Sequence, residues 1–104
     1  MPTPQQIDRF TLAFHRQAIA RLRGDAHLLE QARGTLQRWR QQRGDTRSDA
    51  YLDQWARLLD GGVDEVERAV CAEDERAATL RNASPLGFVL SPKEREEVRR
   101  ASGL

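Results

Sequence analysis

The sequence predicts an all-α fold: a single compact domain over residues 1–104, with five to six helices, the three longer ones first. Three observations support this. Apolar residues recur at three- and four-residue spacing along most of the chain. Helix-capping residues repeatedly precede these periodic stretches, and glycines often follow them. A chain of 104 residues is also long enough to bury a modest core without disulfides or metal.

The first helix is expected to run from Pro4 to about Arg23. Thr3 and Gln6 have the spacing of a capping box, in which each side chain bonds the backbone N–H of the other residue. Proline is favoured at the first helical position because its missing N–H would be unpaired there in any case. Gly24 is suited to end the helix.

Apolar side chains fall on two sides of this first helix. One stripe consists of Ile7, Phe10, Phe14, Ala18 and Leu22. Leu12 and Ile19, which are seven residues apart, lie off that stripe with His15 between them. A helix that is apolar on two sides is either enclosed by its own chain or paired with another protein. Leu12 and Ile19 are therefore candidates for a partner contact or self-association as well as for the core.

The second and third helices are expected after Asp25 and over 49–60. Asp25 is placed to cap the second helix, which should end near Arg43. Its predicted seam is Leu28, Leu29, Ala32, Leu36 and Trp39. Ser48 is the expected cap of the third helix. The apolar face of that helix is Tyr51, Leu52, Trp55, Leu58 and Leu59.

Three shorter helices are expected in the second half of the chain. Asp64 and Glu67 have the spacing of a capping box at the start of the fourth. The acidic run 73–75 suits the start of the fifth, which should end around residue 82, because negative charge is favoured at a helix N-terminus. Ser91, followed by Pro92 and with Glu94 three residues on, predicts that the sixth begins at residue 92 and runs to about 101.

Residues 83–90 form the only long apolar run that cannot be helical, because a proline and a glycine interrupt it. Leu86, Phe88 and Leu90 have two alternative roles. They either clamp the core against the neighbouring helices, which are rich in alanine, or bind a partner as an extended segment. These three residues, with Leu12 and Ile19, are the candidate partner-binding residues.

The composition argues against enzymatic chemistry. His15, His27 and the single cysteine, Cys71, have no metal-ligand spacing, and one cysteine allows no internal disulfide. The serines stand at expected caps and turns, and no glycine-rich phosphate loop follows a strand. We therefore expect a non-enzyme without metal or cofactor. No signal peptide or membrane-spanning run is apparent, which predicts a cytoplasmic protein.

A cluster of arginines is the candidate nucleic-acid-binding site: Arg33, Arg38, Arg40, Arg43 and Arg47. Trp39 lies among them, and a basic helix followed by a loop and another helix resembles a helix-turn-helix. The helix that would have to read bases is acidic, however. The alternative is that Arg33 and Arg40 pair with acids of a neighbouring helix.

Four segments between residues 55 and 95 carry a family resemblance: WARLLDGG (55–62), DERAA (74–78), LRNASP (80–85) and LSPKER (90–95). They resemble small uncharacterised all-helical bacterial proteins of toxin–antitoxin and mobile-element neighbourhoods. The resemblance implies a non-enzymatic antitoxin that covers the active site of its toxin. It assigns no functional residue.

The leading hypothesis is thus a small regulatory or interaction protein, antitoxin-like, that binds and occludes a partner protein. The first alternative is a nucleic-acid-binding accessory protein that uses the arginine cluster. The second is a helical subunit of a larger enzyme complex.

Overall fold

The computed structural model describes residues 3–43 and 49–103, and these residues form six α-helices. In chain order they are α1 (Pro4–Gly24), α2 (His27–Arg43), α3 (Asp49–Gly61), α4 (Val63–Val70), α5 (Glu75–Asn82) and α6 (Pro92–Ala101). No β-strand occurs in this part of the chain. The all-α prediction is confirmed, including three longer helices followed by three shorter ones.

The first and last helices begin as the sequence predicts. The Thr3 side chain accepts the N–H of Gln6 at 3.1 Å, and the Gln6 side chain accepts the N–H of Thr3 at 2.8 Å. Ser91 and Glu94 make the same reciprocal pair, at 3.2 and 3.0 Å. Each box satisfies two N–H groups that would otherwise be unpaired at a helix start. Asp74 caps α5 by accepting the N–H of Ala77 at 2.8 Å.

The fourth helix starts differently from the prediction. Its N-cap is Gly62, whose φ of 98° lies in the region that favours glycine, and no side chain caps it. The expected capping box of Asp64 with Glu67 is therefore wrong. Because the chain turns at Gly62 itself, Asp64 already lies inside the first turn, where its carboxylate pairs with Arg23 at 2.8 Å.

α1 lies at the centre of the molecule and packs against α2, α4, α5 and α6. Both of its apolar sides are covered. Its buried residues are Leu12, Phe14, His15, Ala18, Ile19 and Leu22. Ile7, the first residue of the predicted apolar stripe, is 44% exposed. The apolar stripe continues toward the helix start beyond the buried part of the helix, which begins at Leu12.

Trp55 of α3 is the largest fully buried side chain, and it joins α3 to α5. Its indole N–H donates to the carbonyl of Leu80 at 2.8 Å, which satisfies a polar group that burial would otherwise leave unpaired. Around it lies one continuous core to which all six helices contribute. None of the helices in residues 3–43 and 49–103 has the length and apolar character needed to cross a membrane.

The irregular segment between α5 and α6 closes this core. Pro85, Leu86, Val89 and Leu90 are buried, whereas Phe88 points outward. The turn is held by its own backbone, since the N–H of Val89 donates to the carbonyl of Leu86 at 3.0 Å. Most apolar side chains of the segment thus pack into the core, as expected for a segment that clamps the core against the neighbouring helices.

Candidate partner-binding groove

The structure separates the five apolar residues that were candidates for partner binding. Leu12, Ile19, Leu86 and Leu90 are between 0% and 9% exposed, so their side chains serve the core of the chain itself. Phe88 is different, because 41% of it remains exposed. Phe88 and Ile7 are the exposed large hydrophobic residues of the described chain. Of the five candidates, Phe88 alone keeps the large exposed apolar surface that a partner contact requires.

Phe88 lies in a groove of about 570 Å³ formed where the first half of α1, the irregular segment and α6 meet. Its lining residues are Phe10, Gly87, Phe88, Leu90, Ser91, Pro92, Arg95, Glu96 and Arg99. The lining is apolar on the side of α1 and the irregular segment, and charged on the side of α6. Surface grooves with an aromatic anchor and a charged rim are typical of protein-binding sites.

A smaller pocket of about 200 Å³ adjoins this groove and shares Phe10, Gly87 and Arg95 with it. Its other lining residues are Thr11, Phe14, His15, Arg81 and Ser84. The two concavities together hold residues from α1, α5, the irregular segment and α6. We call them the groove and the inner pocket below.

Arg81 is the buried cation at the inner pocket, and its side chain is fully enclosed. Its guanidinium donates to the Asp8 carboxylate at 2.8 Å and to the Thr11 hydroxyl at 3.2 Å. It also donates to the carbonyls of Val70 and Ala72, at 2.8 and 2.9 Å. Arg81 therefore satisfies carbonyls at the end of α4, and its charge is balanced by Asp8.

His15 stands beside Arg81 and is neutral at physiological pH. Burial lowers its pKa to about 4; the hydrogen bond to the Thr11 carbonyl opposes this, and the charge of Arg81 adds to it. Nδ1 lies 2.7 Å from the Thr11 carbonyl, so Nδ1 carries the proton and donates. Nε2 is buried without a hydrogen-bond partner among the described residues.

Arg95 is the cation at the mouth of the inner pocket. It lies 5.2 Å from the centre of the Phe14 ring, a cation–π distance, and donates to the Gly87 carbonyl at 2.7 Å. No ion pair within the described residues involves Arg95. Further along α6, Glu96 pairs with Arg99 at 2.9 Å and with Arg100 at 3.5 Å. The hydrogen bond from Arg99 is the main cause of a lowered pKa at Glu96.

The arginine cluster of α2 is drawn toward α3. Arg33 lies 3.3 Å from the Asp60 carboxylate, pairs with Glu30, and donates to the Leu59 carbonyl at 2.8 Å. Arg40 pairs with Asp53 of α3. This is the alternative in which the two arginines pair with acids of a neighbouring helix rather than with phosphate.

The remaining arginines of the cluster show no common surface. Arg38 donates to the Thr35 hydroxyl at 3.1 Å, and Arg43 stacks over the Trp39 ring at 5.4 Å. Arg47 lies outside the described residues. The geometry thus provides no convergent set of free guanidinium groups in this part of the chain.

The described residues also contain no group of three or more His, Cys, Asp or Glu side chains arranged to hold a metal ion. Cys71 packs against the core, and burial raises the pKa of its thiol. A protonated thiol is a weak nucleophile, so the geometry supports the interpretation of Cys71 as a small hydrophobic residue.

Comparison with protein-family models, curated proteins and solved structures gives no match for this chain. The groove and the inner pocket are defined by the geometry of this chain alone. Sequence reasoning found Phe88, but it did not find the roles of Arg81 and Arg95. No sequence signal marks Arg81, because its carboxylate partner is 73 residues away.

Proposed function

We propose that this chain is a small interaction protein that binds a segment of a partner protein in the groove around Phe88. The observation that carries the proposal is the exposure of Phe88 within a segment whose other large apolar residues are buried. A large aromatic side chain left in water beside an apolar concavity lowers the free energy of a complex when a partner covers it. Aromatic anchors of this kind dominate many protein interfaces.

The groove suits a segment that presents an aromatic or large aliphatic side chain. Phe10 and Pro92 offer apolar surface in the groove beside Phe88. The groove is held by secondary structure rather than by a loop alone, because Ser91 caps α6 at its edge. A partly preformed site loses less conformational entropy on binding than a disordered one.

Within this function we propose the antitoxin-like form, in which the bound partner loses access to its own active site. Its support is the sequence resemblance of residues 55–95, a region that includes Phe88. Co-expression with the product of the neighbouring gene tests it. Relief of that product's toxicity by wild type, and loss of relief with Phe88→Ser, is the expected result; a harmless neighbour would contradict the antitoxin-like form alone.

The groove is tested by selecting a displayed library of random short peptides on the immobilised wild-type chain. The Phe88→Ser variant serves for counter-selection. The selected peptides are then synthesised, and their affinities for wild type, Phe88→Ser and Ile7→Ser are measured by titration. Ile7 is the matched control, because it is equally exposed but does not line the groove.

We expect Phe88→Ser to weaken the selected peptides by about tenfold or more and Ile7→Ser to change their affinity little. Circular dichroism melts of both variants show whether the fold is kept. Equal losses for the two variants would mean non-specific adhesion to exposed apolar side chains. Failure to select any peptide that depends on Phe88 would contradict the proposed function.

A further inference from the structure

We propose that the inner pocket binds a carboxylate of the partner segment, with Arg95 as the cation that meets it. This inference rests on the proposed function, because the carboxylate belongs to an acidic side chain of the segment that occupies the groove. An ion pair between Arg95 and this carboxylate would give the groove its specificity for acidic segments.

Among the described residues, hydrogen-bond donors remain free in the inner pocket at Ser84 and Arg95, whereas the unpaired acceptor there, Nε2 of His15, is buried from solvent and therefore from a ligand. The Ser84 hydroxyl accepts the N–H of Leu86 at 3.1 Å, so its own hydrogen is left to donate. Arg95 has five N–H donors and makes one hydrogen bond to the described residues, to the Gly87 carbonyl. An acceptor-rich ligand satisfies such a site.

The two arginines at the inner pocket differ in how far their charges are balanced. Arg81 makes four hydrogen bonds to Asp8, Thr11, Val70 and Ala72, and its charge is already balanced. Arg95 donates a hydrogen bond to a neutral carbonyl, lies over the Phe14 ring, and has no ion pair among the described residues. The positive charge that remains to be balanced is therefore that of Arg95.

The inner pocket is small and adjoins the groove, with which it shares three lining residues. At about 200 Å³, the inner pocket is smaller than the roughly 300–1,000 Å³ of drug-sized ligand sites. It therefore suits one side chain. Phe10 and Phe14 provide apolar surface for the methylene groups of that side chain, and the open side toward the groove lets it enter from a bound segment.

The surrounding charge favours the same ligand. The charged residues of α6 that line the groove are Arg95, Glu96 and Arg99, and Glu96 pairs with Arg99. This side of the groove is thus net positive. Electrostatic complementarity then selects an acidic segment over a basic one.

The test uses peptides selected on the groove as described above. We expect the winners to share an Asp or Glu at a fixed distance from their apolar anchor. The acid is then replaced by its amide, and both peptides are titrated against wild type, Arg95→Gln and Arg100→Gln. Arg100 is the matched control, because it is an exposed arginine of the same helix that lines neither concavity.

We expect Arg95→Gln to weaken the acidic peptide by about tenfold or more and Arg100→Gln by much less. The amide peptide should bind wild type and Arg95→Gln equally, which separates a lost ion pair from a damaged fold. Equal losses for Arg95→Gln and Arg100→Gln would contradict the inference, since they would indicate a general electrostatic effect. Winners that depend on Phe88 but share no acid would overturn the carboxylate site and leave the proposed function standing, whereas no winners at all would overturn both.

Discussion

Asp8 and Arg81 join α1 to α5 at a distance of 2.8 Å between Oδ1 and Nη2. Asp8 lies in the second turn of α1 and Arg81 at the end of α5, 73 residues later. Because the arginine is enclosed and the aspartate is half-exposed, the pair brings a charge into the interior with its partner at the surface. The same guanidinium donates hydrogen bonds to the carbonyls of Val70 and Ala72, at the end of α4 and just after it.

The first prediction concerns Arg81. Replacing it with methionine leaves the carbonyls of Val70 and Ala72 without their donor, and we expect a loss of about 3 kcal/mol in the free energy of unfolding. Arg81→Lys should lose nearly as much, because an ammonium group cannot reach the same four acceptors. Asp8→Asn is the comparison: it keeps an oxygen that can accept from the guanidinium but removes the charge that balances the buried Arg81, so we expect a loss smaller than that of Arg81→Met. Urea unfolding followed by circular dichroism measures all three; equal losses for Asp8→Asn and Arg81→Met would contradict this explanation.

The second prediction is a pH dependence that originates at His15. Its pKa falls from 6.5 to about 4 in the folded chain, so the unfolded chain binds the proton more readily. The part of the stability that depends on a neutral His15 is therefore fully present above about pH 6.5. It is lost as the pH falls toward 4. The shift corresponds to about 3 kcal/mol over that window.

The measurement for His15 is the free energy of unfolding at closely spaced pH values, compared with His15→Leu. Carboxylates also titrate near the lower end of this window, so the quantity of interest is the difference between the two curves. We expect the wild type to lose stability relative to the variant between pH 6.5 and 4. Parallel curves would show that His15 is protonated as easily in the folded chain as in the unfolded one.

The third prediction concerns two glycines with opposite expected signs. Gly62 has a φ of 98°, so alanine there should cost about 1–3 kcal/mol through backbone strain. Gly24 ends α1 with nothing within 4 Å of an added Cβ, so alanine there should gain about 0.5 kcal/mol. Thermal and denaturant unfolding of the two variants gives the sign directly. A stabilising Gly62→Ala would mean that the turn between α3 and α4 has another conformation.

Local chemistry explains which parts of this fold were predictable from the sequence. The starts of α1 and α6 follow from Thr3 with Gln6 and Ser91 with Glu94, whose partners lie three residues away. The start of α4 was missed because it depends on the φ angle of Gly62, which competes with a plausible capping pair nearby. Local patterns determine the helices when no such competition exists.

The candidate site could be predicted only in part, since it is assembled from distant segments. Phe88 was identifiable as an apolar residue in a stretch that cannot be helical. Phe10, Arg81 and Arg95 meet at the inner pocket because of the way α1, α5 and α6 pack, and no residue spacing encodes that arrangement. The burial of Leu86 and Leu90, two residues either side of Phe88, likewise became clear only from the turn geometry.

The last prediction compares the two tryptophans. Trp55→Phe removes the indole N–H that donates to the Leu80 carbonyl and leaves a void in the fully packed core, so we expect a loss of about 2 kcal/mol in the free energy of unfolding. Trp39 is half-buried and stacks against Arg43, so Trp39→Phe should cost about 1 kcal/mol or less. Each variant also leaves one tryptophan as a fluorescence probe: the emission of Trp55 should be shifted to the blue in the folded chain, and that of Trp39 should lie nearer to that of an exposed indole. If Trp39→Phe were the more destabilising change, or if Trp55 emitted as an exposed indole, the core arrangement around α3 and α5 would be contradicted.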